Sequence, residues 1–436
     1  MLFLYTLTLW LLLPFVFVRL GWRARKQPEY LQHIGERFGF YSIHSNKPVI
    51  WLHAVSVGET RATHSLVTRL SAHYPDHQIL LTHTTPTGRA ASEQLYGDSV
   101  LRVYLPYDYP FAVRKFLLHF QPQIGILMET EIWFNLIHAT HKFHMPLLLL
   151  NARMSEKSRQ GYARFSRLSQ AALGELASIA AQSSDDAARL TSLGAKNVSV
   201  MGNLKFDIEP PLSMLNLGRE IRVIFGQTRK ILVAASTREG EEALLLDALQ
   251  STSIRDLLLV IIPRHPQRFT DVAKLLELRS IPFVRRSDLN QIGKPNNGDL
   301  PCQAVPPEVQ VVLGDSMGEM FAYYAAADLA FIGGSLLPYG GQNLIEACVV
   351  GTPVLVGPHM YNFAEATRWA VSARAAIQVT DVAGLVAESQ RLFTNTVALN
   401  DMHQQCRKFI DSNRGATEKS LQLVIQQLGN FTHRDS

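Results

Sequence analysis

The chain reads as an α/β protein with two successive doubly wound domains behind an N-terminal apolar helix. Three observations lead there. Residues Met1 to Val18 contain no charged side chain. From Pro48 onward, short β-branched runs alternate with longer amphipathic stretches, the pattern of parallel sheets covered by helices. That rhythm halts at the pair Pro210-Pro211 and restarts, and 436 residues are too many for one ordinary core.

A bilayer span takes about 17–25 apolar residues, so the first segment is just long enough. A cleaved signal would open with basic residues and close with small ones, and this segment does neither. Arg19, Arg23, Arg25 and Lys26 follow the run and place what comes after on the cytoplasmic side by the positive-inside rule. Pro14 and the marginal length keep a helix lying in the interface as the alternative.

Expected strands in the first half are Val49–His53, Gln78–Thr82, Val100–Tyr104, Ile124–Met128, Leu147–Leu150, Ser178–Ala181 and Val198–Val200, with helices such as Arg61–His73 and Ala112–Phe120 between them. In the second half they are Ile231–Ala235, Leu257–Ile262, Val309–Leu313, Leu329–Ile332 and Val354–Val356. The expected layout is an anchor helix over 1–20, a first domain over 21–207, a linker over 208–229 and a second domain over 230–436. Its last helices have the option of packing back on the first domain. The polar stretch Ser287–Leu300 reads as a surface loop.

Composition excludes several classes. With 47% hydrophobic and 18% charged residues the chain is globular, not disordered. A net charge of +5 is too diffuse for a nucleic-acid stripe but suits an anionic membrane surface or a phosphorylated substrate. Cys302, Cys348 and Cys406 show no CxxC spacing, so neither a disulfide framework nor a zinc ribbon is expected, and a reducing compartment fits. HExxH, DxD, GxSxG, GxGxxG and Walker A sequences are all absent.

Four segments hold residue types that do chemistry. In His53-Ala54-Val55-Ser56-Val57-Gly58-Glu59 a strand end meets a helix start, so Glu59 can serve as a general base. Ser56 and Glu59 also have capping-box spacing, and spacing alone favours the cap. In Met128-Glu129-Thr130-Glu131 two carboxylates follow an apolar strand. They share one side if the chain stays extended, or they open a helix. Gly333-Gly334-Ser335 and Gly340-Gly341-Gln342-Asn343, with Glu346 further on, allow close backbone approach to a phosphorylated ligand. Arg264, held between Pro263 and Pro266, is placed to pair with phosphate; Ser236-Thr237 and Asn203-Leu204-Lys205 lie in neighbouring loops.

In their order these segments resemble the 3-deoxy-D-manno-octulosonic acid (Kdo) transferase family. The likeness runs from the apolar segment to about Gly415 and includes Thr85-Pro86-Thr87-Gly88, Leu105-Pro106-Tyr107-Asp108, Asn151-Ala152-Arg153, Gly202 to Asp207, Glu241-Glu242, Gly314-Asp315 and Gly357-Pro358. The resemblance implies a GT-B fold, two Rossmann-like domains facing a cleft. It implies an inverting transfer of Kdo from CMP-Kdo to the lipid A precursor at the cytoplasmic face of a Gram-negative inner membrane. It implies no metal and no cofactor apart from the donor itself. It also moves Glu59 from cap to general base and makes Glu129 a second functional carboxylate. Arg264, Gly333, Gly334, Gly341, Asn343 and Glu346 become donor-binding residues, joined by Ser236, Thr237 and Lys205. Many relatives have histidine at the position of Gln342 and proline at that of Phe134. Gln342 cannot carry charge as an imidazolium does, so it stays outside the catalytic set. The rival expectations are another GT-B nucleotide-sugar enzyme and a non-catalytic membrane-bound scaffold of the same fold. Intact Glu59 and Glu129 argue against the scaffold.

Overall fold

The computed structural model describes residues 1–25, 27–250, 254–289 and 304–432. Lys26, Cys302 and the 290–300 part of the expected surface loop lie outside them. Two compact units result: Met1–Asp207 together with the segment from Arg414, and Ile208–Asn413.

The first unit is built on seven parallel strands: β1 Val49–His53, β2 Gln78–His83, β3 Leu101–Tyr104, β4 Pro122–Met128, β5 Leu147–Ala152, β6 Ser178–Ala181 and β7 Val198–Val200. Their order is β3-β2-β1-β4-β5-β6-β7, so the winding reverses between β1 and β4. Both faces are covered: Trp51 and Leu127 enter one apolar cluster, and Ile50, Leu52 and Ile126 enter another. Burial on both faces explains why these strands read as continuous apolar runs rather than alternating ones. Gly125 admits the Trp51 ring, because a Cβ there would lie 2.7 Å from both that ring and Leu147. The expected helix Arg61–His73 is divided into Val57–Ala62 and His64–His73.

The second unit repeats the plan with β8 Lys230–Thr237, β9 Leu257–Pro263, β10 Phe283–Arg285, β11 Val311–Leu313, β12 Leu329–Ile332, β13 Val354–Val356 and β14 Ala376–Gln378. The order β10-β11-β9-β8-β12-β13-β14 reverses between β8 and β12. Strands β10 and β14 lie at the sheet edges, each ends in a polar residue and neither is fully buried, so neither leaves an apolar run in the sequence as β11 and β13 of the same length do. Cys348 and Cys406, far apart along the chain, are buried free thiols. The Cys348 thiol beside it and burial push the Cys406 thiol up.

Two boundaries differ from expectation. The stretch expected as a linker carries the helix Leu212–Phe225, whose Leu217, Ile221, Ile224 and Phe225 are buried. The second unit ends at Asn413 rather than at 436, because the last helix takes the packing option that the sequence left open. The reason is Asp207, whose carboxylate accepts from Gly415 N at 2.7 Å and from Thr417 N. That bond starts the helix Ala416–Thr432, which sends Leu421, Val424 and Leu428 into the core of the first unit.

The apolar N-terminal segment forms the helix Leu2–Ala24, long and apolar enough to cross a membrane. One side of it rests on the first unit. The Tyr5 hydroxyl donates to Asp108 Oδ2 at 2.8 Å, the Thr6 hydroxyl to Asn135 Oδ1 at 3.0 Å, and the Tyr109 hydroxyl to the Leu9 carbonyl at 2.8 Å. Phe17 stacks on Phe38, and Trp10 on Phe111. The exposed apolar side chains Phe3, Leu7, Leu11, Phe15, Val18 and Trp22 recur every three or four residues, so they form one stripe on the helix.

Candidate active site

In a doubly wound sheet, ligands bind beyond the carboxyl ends of the strands, where the winding reverses. In the first unit that point lies past His53 and Met128. Glu59 and Glu129 follow those two ends.

Helix Val57–Ala62 is capped by Ser56, whose hydroxyl accepts from Glu59 N at 3.4 Å and donates to Glu59 Oε1 at 2.9 Å. The Val55 amide donates to Glu59 Oε2 at 2.9 Å. So the capping reading and the site reading describe one geometry: the cap holds the carboxylate by fixed donors at the switch point. Gly88 lets the helix Pro86–Tyr96 pack beneath this turn, since a Cβ there would sit 2.9 Å from the Val55 carbonyl. Burial raises the Glu59 pKa above the usual carboxylate value, the Val55 amide opposes this, and the nearby Glu129 charge adds to it. A carboxylate made more basic without losing its orientation is suited to take a proton from a hydroxyl.

Glu129 turns the chain instead of extending it, with φ +58°. The premise that Glu129 and Glu131 share a side therefore fails. The helix-start reading fails too, because the next helix begins at Phe134 and has no acidic residue in its first turn. A non-glycine residue in the left-handed region is strained, and such strain gathers at functional sites. Glu129 Oε1 pairs with Lys205 Nζ at 3.0 Å, while Glu131 Oε2 accepts from Trp133 Nε1 at 2.7 Å.

Lys205 thus pairs with Glu129 within the first unit, whereas the resemblance groups it with the donor segments. A chain of buried amides sets its position. Asn151 Oδ1 accepts from Leu204 N at 3.1 Å, Gln182 Nε2 donates to the Asn151 carbonyl at 2.9 Å, and Asn203 Nδ2 donates to Gln182 Oε1 at 3.0 Å. Asn151, at positive φ near the end of β5, and Asn203, past β7, lie in segments that carry the family resemblance, whereas Gln182, just past β6, lies in none of them. Replacing Lys205 by Met is expected to leave Glu129 uncompensated beside Glu59. Transfer should fall ~10- to 100-fold and its acid limb should move to higher pH, read from a pH profile of kcat.

In the second unit the reversal lies past Thr237 and Ile332. Ser236 has φ +56°, and Gly333 packs so closely on it that a Cβ would be 2.5 Å from the Ser236 carbonyl. The buried Glu241 accepts from Gly334 N at 2.6 Å, Arg238 N at 2.9 Å and Leu336 N at 3.0 Å, tying both loops to the helix Glu241–Gln250. Gly341 N donates to the Gly334 carbonyl at 2.7 Å, joining the two glycine segments. Helix Ile345–Val349 starts four residues past Gly341, so Gly341 is a loop residue and not the helix start. Asn343, just before that helix, accepts from Ile345 N at 3.1 Å and donates to Glu346 Oε1 at 3.1 Å. Thr237 is buried and donates to Glu242 Oε1 at 2.7 Å, which braces the loop.

Positive charge gathers past β8 and β9. Arg238 Nη1 donates to His265 Nε2 at 2.8 Å, and the amide of Arg264 donates to the Thr237 carbonyl at 3.0 Å. Burial, then Arg238, Arg264 and Arg268, hold the His265 imidazole below its ordinary pKa. Arg268 is paired with Glu242 at 2.7 Å. Arg238 was missed in the sequence, although it directly follows Ser236-Thr237. Among the described residues no group of three or more His, Cys, Asp or Glu side chains is arranged to hold a metal ion.

Two parallel seven-stranded α/β units with polar clusters at their switch points define a protein of GT-B-like fold. The chain resembles a glycosyltransferase structure from Rickettsia africae (TM-score 0.56, 14% identity, 88% of this chain and 100% of that one). It is equally similar in fold to UDP-GlcNAc 2-epimerase from Neisseria meningitidis (TM-score 0.55, 14% identity, 88% and 100%). Residues 32–208 match the family described as 3-Deoxy-D-manno-octulosonic-acid transferase (kdotransferase). The 3-deoxy-D-manno-octulosonic acid transferase of Bordetella pertussis is 38% identical over 98% of this chain and 99% of its own length. That of Haemophilus influenzae is 34% identical over 97% of each. The chain belongs to the Kdo transferase family, glycosyltransferases of lipopolysaccharide biosynthesis.

Proposed function

We propose that this protein transfers Kdo from CMP-Kdo to the acylated lipid A precursor, lipid IVA, with inversion and without a metal. The observation that carries the reading is Glu59: a partly buried carboxylate with raised pKa, held by two donors at a switch point of the sheet. In this reading Glu59 takes the proton of the acceptor's primary hydroxyl. The oxygen bonds to the anomeric carbon from the face opposite CMP, and the bond to the phosphate oxygen breaks with its electron pair leaving on CMP. Arg264 and Arg238 stabilise the charge that develops on that phosphate, and the Gly333–Gly334 backbone gives it close approach. Glu129, neutralised by Lys205, orients the acceptor.

The helix Leu2–Ala24 serves a lipid acceptor. Held on the domain by Tyr5, Thr6 and the Leu9 carbonyl, it offers its Phe3-Leu7-Leu11-Phe15 stripe to the inner membrane surface, with Arg19 and Arg23 near anionic headgroups. Leu7→Asp with Leu11→Asp is expected to abolish flotation with anionic vesicles and to spare transfer to a detergent-dispersed acceptor.

The test of function is incubation of the purified protein with CMP-Kdo and tetraacyl lipid A precursor, followed by mass analysis of the lipid. A gain of one or more Kdo masses with release of CMP is expected. CMP binding with no Kdo-bearing lipid would overturn the reading in favour of a non-catalytic scaffold.

A further inference from the structure

His53, the last residue of β1, is fully buried in the first unit. Its Nδ1 lies 3.0 Å from the Thr82 carbonyl oxygen and 2.9 Å from the Thr82 hydroxyl. In the tautomer in which Nδ1 accepts from the Thr82 hydroxyl, itself the acceptor of Trp51 Nε1 at 2.8 Å, the ring hydrogen sits on Nε2. That Nε2 is buried and, among the described residues, has no hydrogen-bond partner. An orphaned buried nitrogen costs stability, and the rest of the ring's packing does not require it.

The groups around Nε2 give it a purpose. Glu131 Oε2 is 3.8 Å away and also accepts from Trp133 Nε1. The other titratable neighbours are Glu59 and His83. His83 is turned away through Nδ1 to the Ala54 carbonyl at 2.7 Å, and its pKa is pushed down to about 3, chiefly by burial. A bare Nε2 lone pair against a carboxylate is repulsive, whereas a proton between them makes a charge-assisted bond. Glu131 Oε2 thus faces two N–H groups, bonded to Trp133 Nε1 and 3.8 Å from His53 Nε2. Its Oε1 has no protein partner among the described residues, and its side chain is 21% exposed. An ionised carboxylate oxygen is an acceptor only, suited to a sugar hydroxyl. Of the three carboxylates at this strand end, Glu129 has Lys205 and Glu131 has His53. Glu59 is held by the Val55 amide and the Ser56 hydroxyl and has no cation paired with it among the described residues.

We propose that His53 is a positioning residue that acts through Glu131, fixing that carboxylate so that its free oxygen accepts a hydroxyl of the acceptor sugar. The inference rests on the transferase reading above and adds a specificity-determining residue pair to it.

The experiment is a double-mutant cycle on the full chain, with KM for CMP-Kdo and for the acylated acceptor measured separately. His53→Asn keeps an amide where Nδ1 was, for Thr82, and removes the Nε2 end. His53→Gln supplies a hydrogen-bonding group near the Nε2 position. H53N and E131Q should each raise the acceptor KM about 10-fold and leave the CMP-Kdo KM unchanged. H53N/E131Q should be no worse than E131Q, and H53Q should recover part of the loss. Multiplying effects, an unchanged acceptor KM, or equal changes in both KM values would overturn the inference while leaving the transferase intact. If H53N does not fold, by its melting curve, H53Q and E131Q form the cycle and decide. A wild-type protein that transfers no Kdo overturns the transferase reading and this one with it.

Discussion

Glu59→Gln is expected to lower kcat for Kdo transfer ~100- to 10,000-fold, the range of a lost general base, while the affinity for CMP-Kdo stays within about twofold. The substitution tests the two meanings of this residue against each other. A glutamine keeps the shape and still accepts one of the two bonds from Val55 N and the Ser56 hydroxyl. If Glu59 only capped its helix, the loss would be confined to stability, about 1 kcal/mol, and kcat would hardly move. The pH profile gives a second discrimination. The active form of the base is deprotonated, and burial raises its folded-state pKa above the usual carboxylate value. On acidification Glu59 therefore gains its proton, and activity is lost, at a higher pH than for an exposed glutamate. The wild-type kcat should show that acid limb, and the residual activity of E59Q should lack it. A wild-type acid limb at or below the ordinary glutamate value would count against Glu59 as the base.

Much of this arrangement was legible in the sequence because parallel strands buried on both faces leave long apolar runs. β1, β4, β8, β9 and β12 were found that way, and their ends located the polar segments. What the runs do not encode is where a chain goes after it leaves a sheet. The return of Ala416–Thr432 to the first unit depends on two amides reaching the Asp207 carboxylate some two hundred residues back, and no local pattern shows that. Positive φ at Glu129, Asn151 and Ser236 is equally invisible, since none of these is glycine. The family resemblance groups Lys205 with the donor segments; its partner, Glu129, is 76 residues earlier and no local pattern joins them. Arg238 was passed over for Arg264 because prolines drew attention to the latter.

Glu241→Ala is expected to have the largest effect on the second unit, although nothing about Glu241 is catalytic. Its carboxylate is wholly buried and is the common acceptor for Gly334 N, Leu336 N and Arg238 N, the amides that shape both loops of the donor segment. Removing it leaves these amides without their acceptor, the bonds from Gly334 N and Leu336 N being buried. At ~1–3 kcal/mol for each orphaned group, the loss is on the order of 3 kcal/mol or more even if one amide finds a new acceptor. Glu241→Gln should be nearly as harmful, because its NH2 would face an amide that also donates. Gly333 cannot drift to compensate, being wedged against the Ser236 carbonyl. The loops should therefore lose the shape that brings Gly334 and Arg238 toward a phosphate. Calorimetric titration with CMP should show affinity reduced ~100-fold or more, and the melting temperature should fall and cease to rise with added CMP, because a ligand stabilises only the state it binds. Unchanged CMP affinity in E241A would separate the glycine loops from donor binding and leave the arginines past β8 and β9 as the donor site by themselves.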